Sequence, residues 1–200
     1  MGLPERAFDV ALALSAWSWA ALGLAQASPD DRTGIVRLCI AALHLTVGGL
    51  VLFRGPLVRL GSATQLAAAL PALVISGVAL RLAGSPHLWP LHAQLMFLTG
   101  TGMVLASLLH LGKSFAILPA LREIRTGGPY RLVRHPAYLG ELLMLMACAM
   151  ACSPIGAWPA LVAVPMIMLR IAAEERLLSK SFGWCAYRER VRWRLLPWLW

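Results

Sequence analysis

Leu91–Leu111 reads LHAQLMFLTGTGMVLASLLHL, twenty-one residues with no Asp, Glu, Lys or Arg. A helix needs roughly 20 such residues to cross about 30 Å of hydrocarbon, so this stretch predicts a membrane span. Toward the N-terminus, Thr64–Leu80 is uncharged and stops before Arg81, while Phe8–Ala25 and Val36–Phe53, eighteen residues each, are almost wholly apolar. Gly84, Ser85, Pro86 and Pro90 separate the third span from the fourth. Beyond Leu111 lies a polar interval, Lys113–His135, followed by two more apolar runs, Pro136–Ala151 and Ile155–Ala173, joined by Cys152-Ser153-Pro154. Both are short for a full crossing, and Pro159 and Pro165 interrupt the second. They predict a tight hairpin kinked at Pro165, either spanning or re-entrant. The expected fold is an all-α polytopic membrane helical bundle: four spans, a C-terminal kinked hairpin and a cytoplasmic amphipathic tail.

Composition agrees. Of 200 residues 59% are apolar and 14% charged, with a mean hydropathy of +0.70. A soluble domain of this length buries about two-thirds of its surface and could not hide that much hydrocarbon. The net charge of +9 would suggest nucleic acid as partner in a soluble chain; here the charges crowd beside the spans and in the last third, where an anionic membrane surface accounts for them. With the N-terminus inside, cytoplasmic segments hold fifteen Lys and Arg and the opposite side holds three, Arg32, Arg37 and Arg81. This bias predicts both termini and the active site on the cytoplasmic side. Ala25-Gln26-Ala27 resembles a cleavage site, but Arg6 stands beside Glu5 and Asp9, so the first run reads as a span rather than a leader. Cys39, Cys148, Cys152 and Cys185 form neither a CxxC pair nor a zinc spacing, so no metal or disulfide framework is expected. Residues 1–111 read as a four-span scaffold and residues 112–200 as the region that carries the candidate site. In the scaffold, Gly48-Gly49 and the Gly100/Gly102 pair are places where helices can approach closely.

The chemistry-bearing residues are late. Gly127, Gly128 and Pro129 prevent a helix, and Pro136 pushes His135 into an extended conformation. Irregular backbone at the membrane rim must be buried in protein or line a wet cavity, so a polar pocket is expected here. A second cluster, Arg170 to Leu178, carries Glu174 and Glu175 at the end of the last apolar run. Neighbouring helical residues point about 100° apart, so one carboxylate faces the bundle and the other a loop or water. Glu174 comes level with Arg134 and His135 if the hairpin folds as expected. The third element, Phe182 to Arg194, is basic and aromatic and predicts a lid over this crevice.

The string Gly128-Pro129-Tyr130-Arg131-Leu132-Val133-Arg134-His135-Pro136-Ala137-Tyr138-Leu139-Gly140 resembles the GPYRxVRHPxYxG signature of the isoprenylcysteine carboxyl methyltransferase family and its phospholipid methyltransferase relatives. The spacing onward to Glu174-Glu175-Arg176-Leu177-Leu178, Phe182-Gly183, Tyr187, Arg190-Val191 and Pro197 is similar to that family's second block, so the resemblance covers roughly residues 108–197. It implies an integral-membrane enzyme moving a methyl group from S-adenosyl-L-methionine to a lipophilic small molecule or lipid. By analogy, Arg134 or Arg131 takes the cofactor carboxylate, Glu174 or Glu175 its ammonium or ribose hydroxyls, and Tyr138 with Tyr130 its adenine; His135, Pro136 and the backbone around Gly128 complete the wall. Arg190, with Tyr187, is the candidate for positioning or polarising the acceptor, and Glu174 for taking a proton from an amine or thiol. No metal is required.

Two other readings stand beside this one. A phospholipid N-methyltransferase would share the cofactor site and differ in acceptor. A small transporter or haem-binding membrane protein would instead use paired histidines, for which His44 and His110 are the candidates inside spans.

Overall fold

The computed structural model describes residues 3–25, 34–55, 59–152, 154–198 and 200. Of the chain's described residues, 77% are helical. Its helices are α1 (Leu3–Ala25), α2 (Gly34–Phe53), α3 (Ala63–Leu82), α4 (Leu91–Leu111), α5 (Pro136–Ala151), α6 (Trp158–Leu178) and α7 (Trp184–Arg190). Helices α1 to α4 are each long and apolar enough to cross a membrane, whereas α5 has only 16 residues. The expected bundle with a C-terminal hairpin is therefore what forms. Helix α6 starts at Trp158 because Pro154–Ala157 form a 3-10 turn, and it runs on to Leu178 through the charged residues.

The burial pattern is that of a protein dissolved in lipid. Alanines fill the contacts between helices, with Ala72 and Ala79 of α3 packed on Ala160 and Ala163 of α6, while Phe53, Val74, Leu109 and Leu161 point outward. Lipid offers apolar side chains as good a home as the interior does, so close approach of small residues drives the packing. Gly100 and Gly140 mark the crossing of α4 and α5. A Cβ on Gly140 would lie 2.6 Å from the Gly100 carbonyl oxygen and 2.9 Å from the Val104 backbone nitrogen, neither of which can yield. Gly48 similarly receives the Trp17 indole of α1, whereas nothing lies near a Cβ on Gly49 or Gly102. Overpacking a well-filled contact costs about 1–3 kcal/mol or more, so Gly140→Leu is expected to lower the thermal midpoint of the detergent-solubilised protein and Gly102→Leu to leave it unchanged.

Polar contacts gather at one end of the bundle. Arg54 grips Asp9 with both Nε, at 2.9 Å, and Nη2, closing α1 against the end of α2. The loop between α2 and α3 pairs with the loop after α4. Strand β1 (Arg59–Leu60) is antiparallel to β2 (Ala120–Leu121), extended by Gly61 N–H to Pro119 O at 2.9 Å and Gly55 N–H to Lys113 O at 2.7 Å. Arg122 Nη1 also donates to Gly55 O. Ser62 caps α3 through a reciprocal bond with Gln65, and Gln65 Nε2 reaches the Ala173 carbonyl at 3.2 Å. The two long polar loops and the C-terminal end of α6 thus share one side of the bundle.

Candidate functional site

After α4 the chain turns at Gly112 (φ 49°) and reaches a 3-10 turn, Gly128–Arg131. Gly128 has φ 50°, and a Cβ there would lie 2.5 Å from the His110 ring, so both conformation and space demand glycine. His110 is therefore packed against the Gly127-Gly128 turn. His44, the other histidine of the haem reading, donates Nδ1–H to Ile40 O of its own helix at 2.8 Å while facing the cavity described below. Among the described residues no group of three or more His, Cys, Asp or Glu is placed to hold a metal ion.

The turn buries Tyr130, whose carbonyl accepts from the Tyr187 hydroxyl at 2.9 Å. Burial, reinforced by the Glu174 charge, raises the Tyr130 phenol, and burial pushes Tyr187 up to about 12, so both remain neutral donors at ordinary pH. Arg134 and His135 lead into α5 through a bend, and His135, with φ −128° and ψ 58°, is not in the extended conformation expected ahead of Pro136. Their amides donate to the carbonyls of Trp193 and Arg194, each at 2.9 Å. The C-terminal segment is thereby held against the start of α5, where Pro136 opens the helix at a position whose missing N–H is harmless.

Glu175 lies beneath this seam. Its Oε1 accepts from Arg134 Nε at 2.8 Å and contacts His135 Nε2 at 3.1 Å; its Oε2 accepts from Arg194 Nε at 3.0 Å. Arg134 Nη1 donates to the Val191 and Arg192 carbonyls, at 2.9 and 2.7 Å. Burial alone would raise the Glu175 carboxyl, but hydrogen bonds from His135 and Arg194, with the charge of His135 and the Arg134 bond, prevail and hold it at about 2. Glu175 is thus occupied by its neighbours.

Glu174, one residue earlier, faces the other way. It accepts a hydrogen bond from the Tyr138 hydroxyl and stands 3.9 Å from Arg170 Nε. Arg170 lies over the Tyr138 ring, 5.0 Å from its centroid, and donates Nη2–H to Ile117 O at 2.7 Å, while its buried Nε has no hydrogen-bond partner among the described residues. Further along α5, Glu141 accepts from Ser76 of α3 at 2.9 Å.

Ser76, Tyr138, Glu141, Arg170 and Glu174 all border one cavity of about 580 Å³. Its polar end is made by Tyr130, Arg134, His135, Trp184 and Tyr187. Its depth runs between Leu43 and Val47 of α2, Leu73 and Leu80 of α3, Phe97 of α4 and Leu145 of α5, so walls come from both sides of residue 111. Tyr138 and Glu174 sit between these two regions. Arg131 and Arg190 are elsewhere: with Thr126, Gly127 and Val191 they line a separate cleft of about 370 Å³. The crevice expected from the sequence thus brings together Arg134, His135, Tyr138, Glu174 and Tyr187 and leaves those two arginines outside it. The C-terminal region forms the seven-residue α7, whose Trp184 and Tyr187 border the cavity, followed by a clasp paired with the start of α5. Sequence reasoning gave no role of their own to Glu141, Ser76, Trp184 or Arg170; a carboxylate and an arginine inside apolar runs were the available signal.

Comparison with known proteins gives two partial likenesses. Residues 89–184 match the family model for phospholipid methyltransferase. A Delta(14)-sterol reductase of Mus musculus is 30% identical over 83 residues, which cover 39% of this chain and 20% of the reductase. The chain thus spans about a fifth of the length of that curated relative.

Proposed function

We propose that this chain is an integral-membrane methyltransferase that uses S-adenosyl-L-methionine and acts on a lipophilic acceptor at the cytoplasmic rim of the bilayer. The carrying observation is the single cavity whose polar end passes, at Tyr138 and Glu174, into a slot between membrane helices. A donor with an ammonium, a carboxylate and a flat adenine suits that polar end: Glu174 for the ammonium, Arg170, whose Nε has no hydrogen-bond partner among the described residues, for the carboxylate, and Tyr130, Trp184 and Tyr187 for the ring. When bound, S-adenosyl-L-methionine supplies an activated methyl group. Arg134 and His135 stiffen the wall through Glu175, and the apolar slot aligns the acceptor and excludes water, which is the main requirement of a displacement that disperses charge. The excess of Lys and Arg at this end supports a cytoplasmic placement.

The matched family model supports a phospholipid acceptor, and the signature resemblance supports a prenylcysteine-like one. The sterol reductase likeness supports a second chemistry, reduction of a lipophilic substrate. Equilibrium binding separates the two chemistries: purified protein is expected to bind S-adenosylhomocysteine saturably and to release none of it to a reduced nicotinamide dinucleotide. Absence of binding overturns the methyl-transfer reading. Incubation with methyl-labelled donor and a total lipid extract is then expected to label a lipid-soluble product.

A further inference from the structure

Glu141 is the sixth residue of α5, more than a turn inside an apolar helix. A carboxylate at such a place is costly and is retained where something uses it. Neither the Glu175 seam nor the polar end of the cavity involves it. It borders the cavity between Tyr138, one turn earlier on the same helix, and Met144 and Leu145, where the walls become apolar. Ser76 crosses from α3 to hold its Oε1. Arg170 and Glu174 act on it electrostatically from α6, and Arg170 also serves Glu174. One guanidinium is therefore shared between two carboxylates beside the acceptor slot, so a third carboxylate there would have no cation of its own. A carboxylate acceptor would be repelled there. A group carrying hydrogen on nitrogen, oxygen or sulfur would find an acceptor for it.

Resting on the methyl-transfer reading, we propose that Glu141 is a catalytic proton acceptor, positioned by Ser76, and that the methylated molecule is a lipophile ending in N–H, O–H or S–H rather than in a carboxylate. As the acceptor's lone pair forms its bond to the methyl carbon, the carbon–sulfur bond of the donor sulfonium breaks and its electron pair stays on sulfur. The acceptor's hydrogen leaves as a proton to the Glu141 carboxylate, which becomes a neutral acid. The hydrogen bond from Ser76 holds Oε1, which directs the proton to Oε2.

The test uses the full chain in lipid nanodiscs. Label transferred from methyl-labelled donor to a total lipid extract is expected to resist alkali; label released as methanol marks a methyl ester and overturns the proposal. In Glu141→Gln, affinity for S-adenosylhomocysteine is expected to stay within about two-fold, dodecylamine, a single-chain amine probe, to bind about ten-fold more weakly, and kcat for the lipid product to fall about 100-fold, the usual scale for loss of a proton-transfer group. Ser76→Ala, which leaves the carboxylate in place, is expected to lower kcat by about three- to ten-fold with little change in KM. Unchanged turnover or dodecylamine affinity in Glu141→Gln, or equal losses of turnover and S-adenosylhomocysteine affinity, overturns the role of Glu141. Wild-type protein that binds no S-adenosylhomocysteine overturns the methyl-transfer reading and this proposal with it.

Discussion

Glu175→Ala is expected to destabilise the protein by about 3–5 kcal/mol, the usual cost of removing one partner of a buried ion pair. The side chains of Arg134 and Glu175 are only 5% and 10% exposed, so the guanidinium cannot recover its lost partner from solvent. Arg194 loses its carboxylate in the same step and the clasp of residues 191–200 loosens from the start of α5. Thermal unfolding in detergent should show the loss, and protease cleavage within 182–198 should quicken. A midpoint equal to wild type would mean that the backbone pairing alone holds the seam. The pH dependence follows the same carboxylate. Its folded value of about 2 lies below the ordinary 4.5, so its contribution is complete above pH 4.5 and is lost as pH falls toward 2. Glu175→Ala should flatten that part of the stability profile.

Glu174→Ala is expected to weaken S-adenosylhomocysteine binding by about 10- to 100-fold, because a hydrogen bond to a charged group contributes roughly 1.5–3 kcal/mol. Arg131→Ala and Arg190→Ala should leave that affinity within about two-fold, since both arginines border the other cleft. This contrast is sharper than one with Arg134→Ala, which would also strand Glu175. Equal losses in Glu174→Ala and Arg190→Ala would place the ligand in the smaller cleft instead.

Much of this architecture is legible in the residues themselves. Hydropathy marks α4 at Leu91–Leu111 because only a lipid-spanning helix needs twenty-one uncharged residues in a row, and the glycine and proline of 127–129 mark the break where the polar wall forms. Helical geometry says that Glu174 and Glu175 diverge but not which way. That choice belongs to packing: Arg134, His135 and Arg194 converge on Glu175 from two distant parts of the chain, and Glu174 is left with Tyr138 and the cavity. The same applies to Arg131 and Arg190, whose motif positions predict the crevice while the local turn directs them into a neighbouring one. Glu141 stands in plain sight at the end of the signature, and its partner Ser76 lies 65 positions away, a separation that no local pattern reveals.

The clasp also orders events in time. Arg134 is translated and threaded toward the bilayer while the carbonyl it grips, that of Val191, lies 57 positions downstream. During that delay the hairpin must sit beside its helices with its charges answered only by one another and by water. Closure of the wall thus waits for residue 191, and a nascent chain stalled short of it would hold a half-built chamber open to lipid.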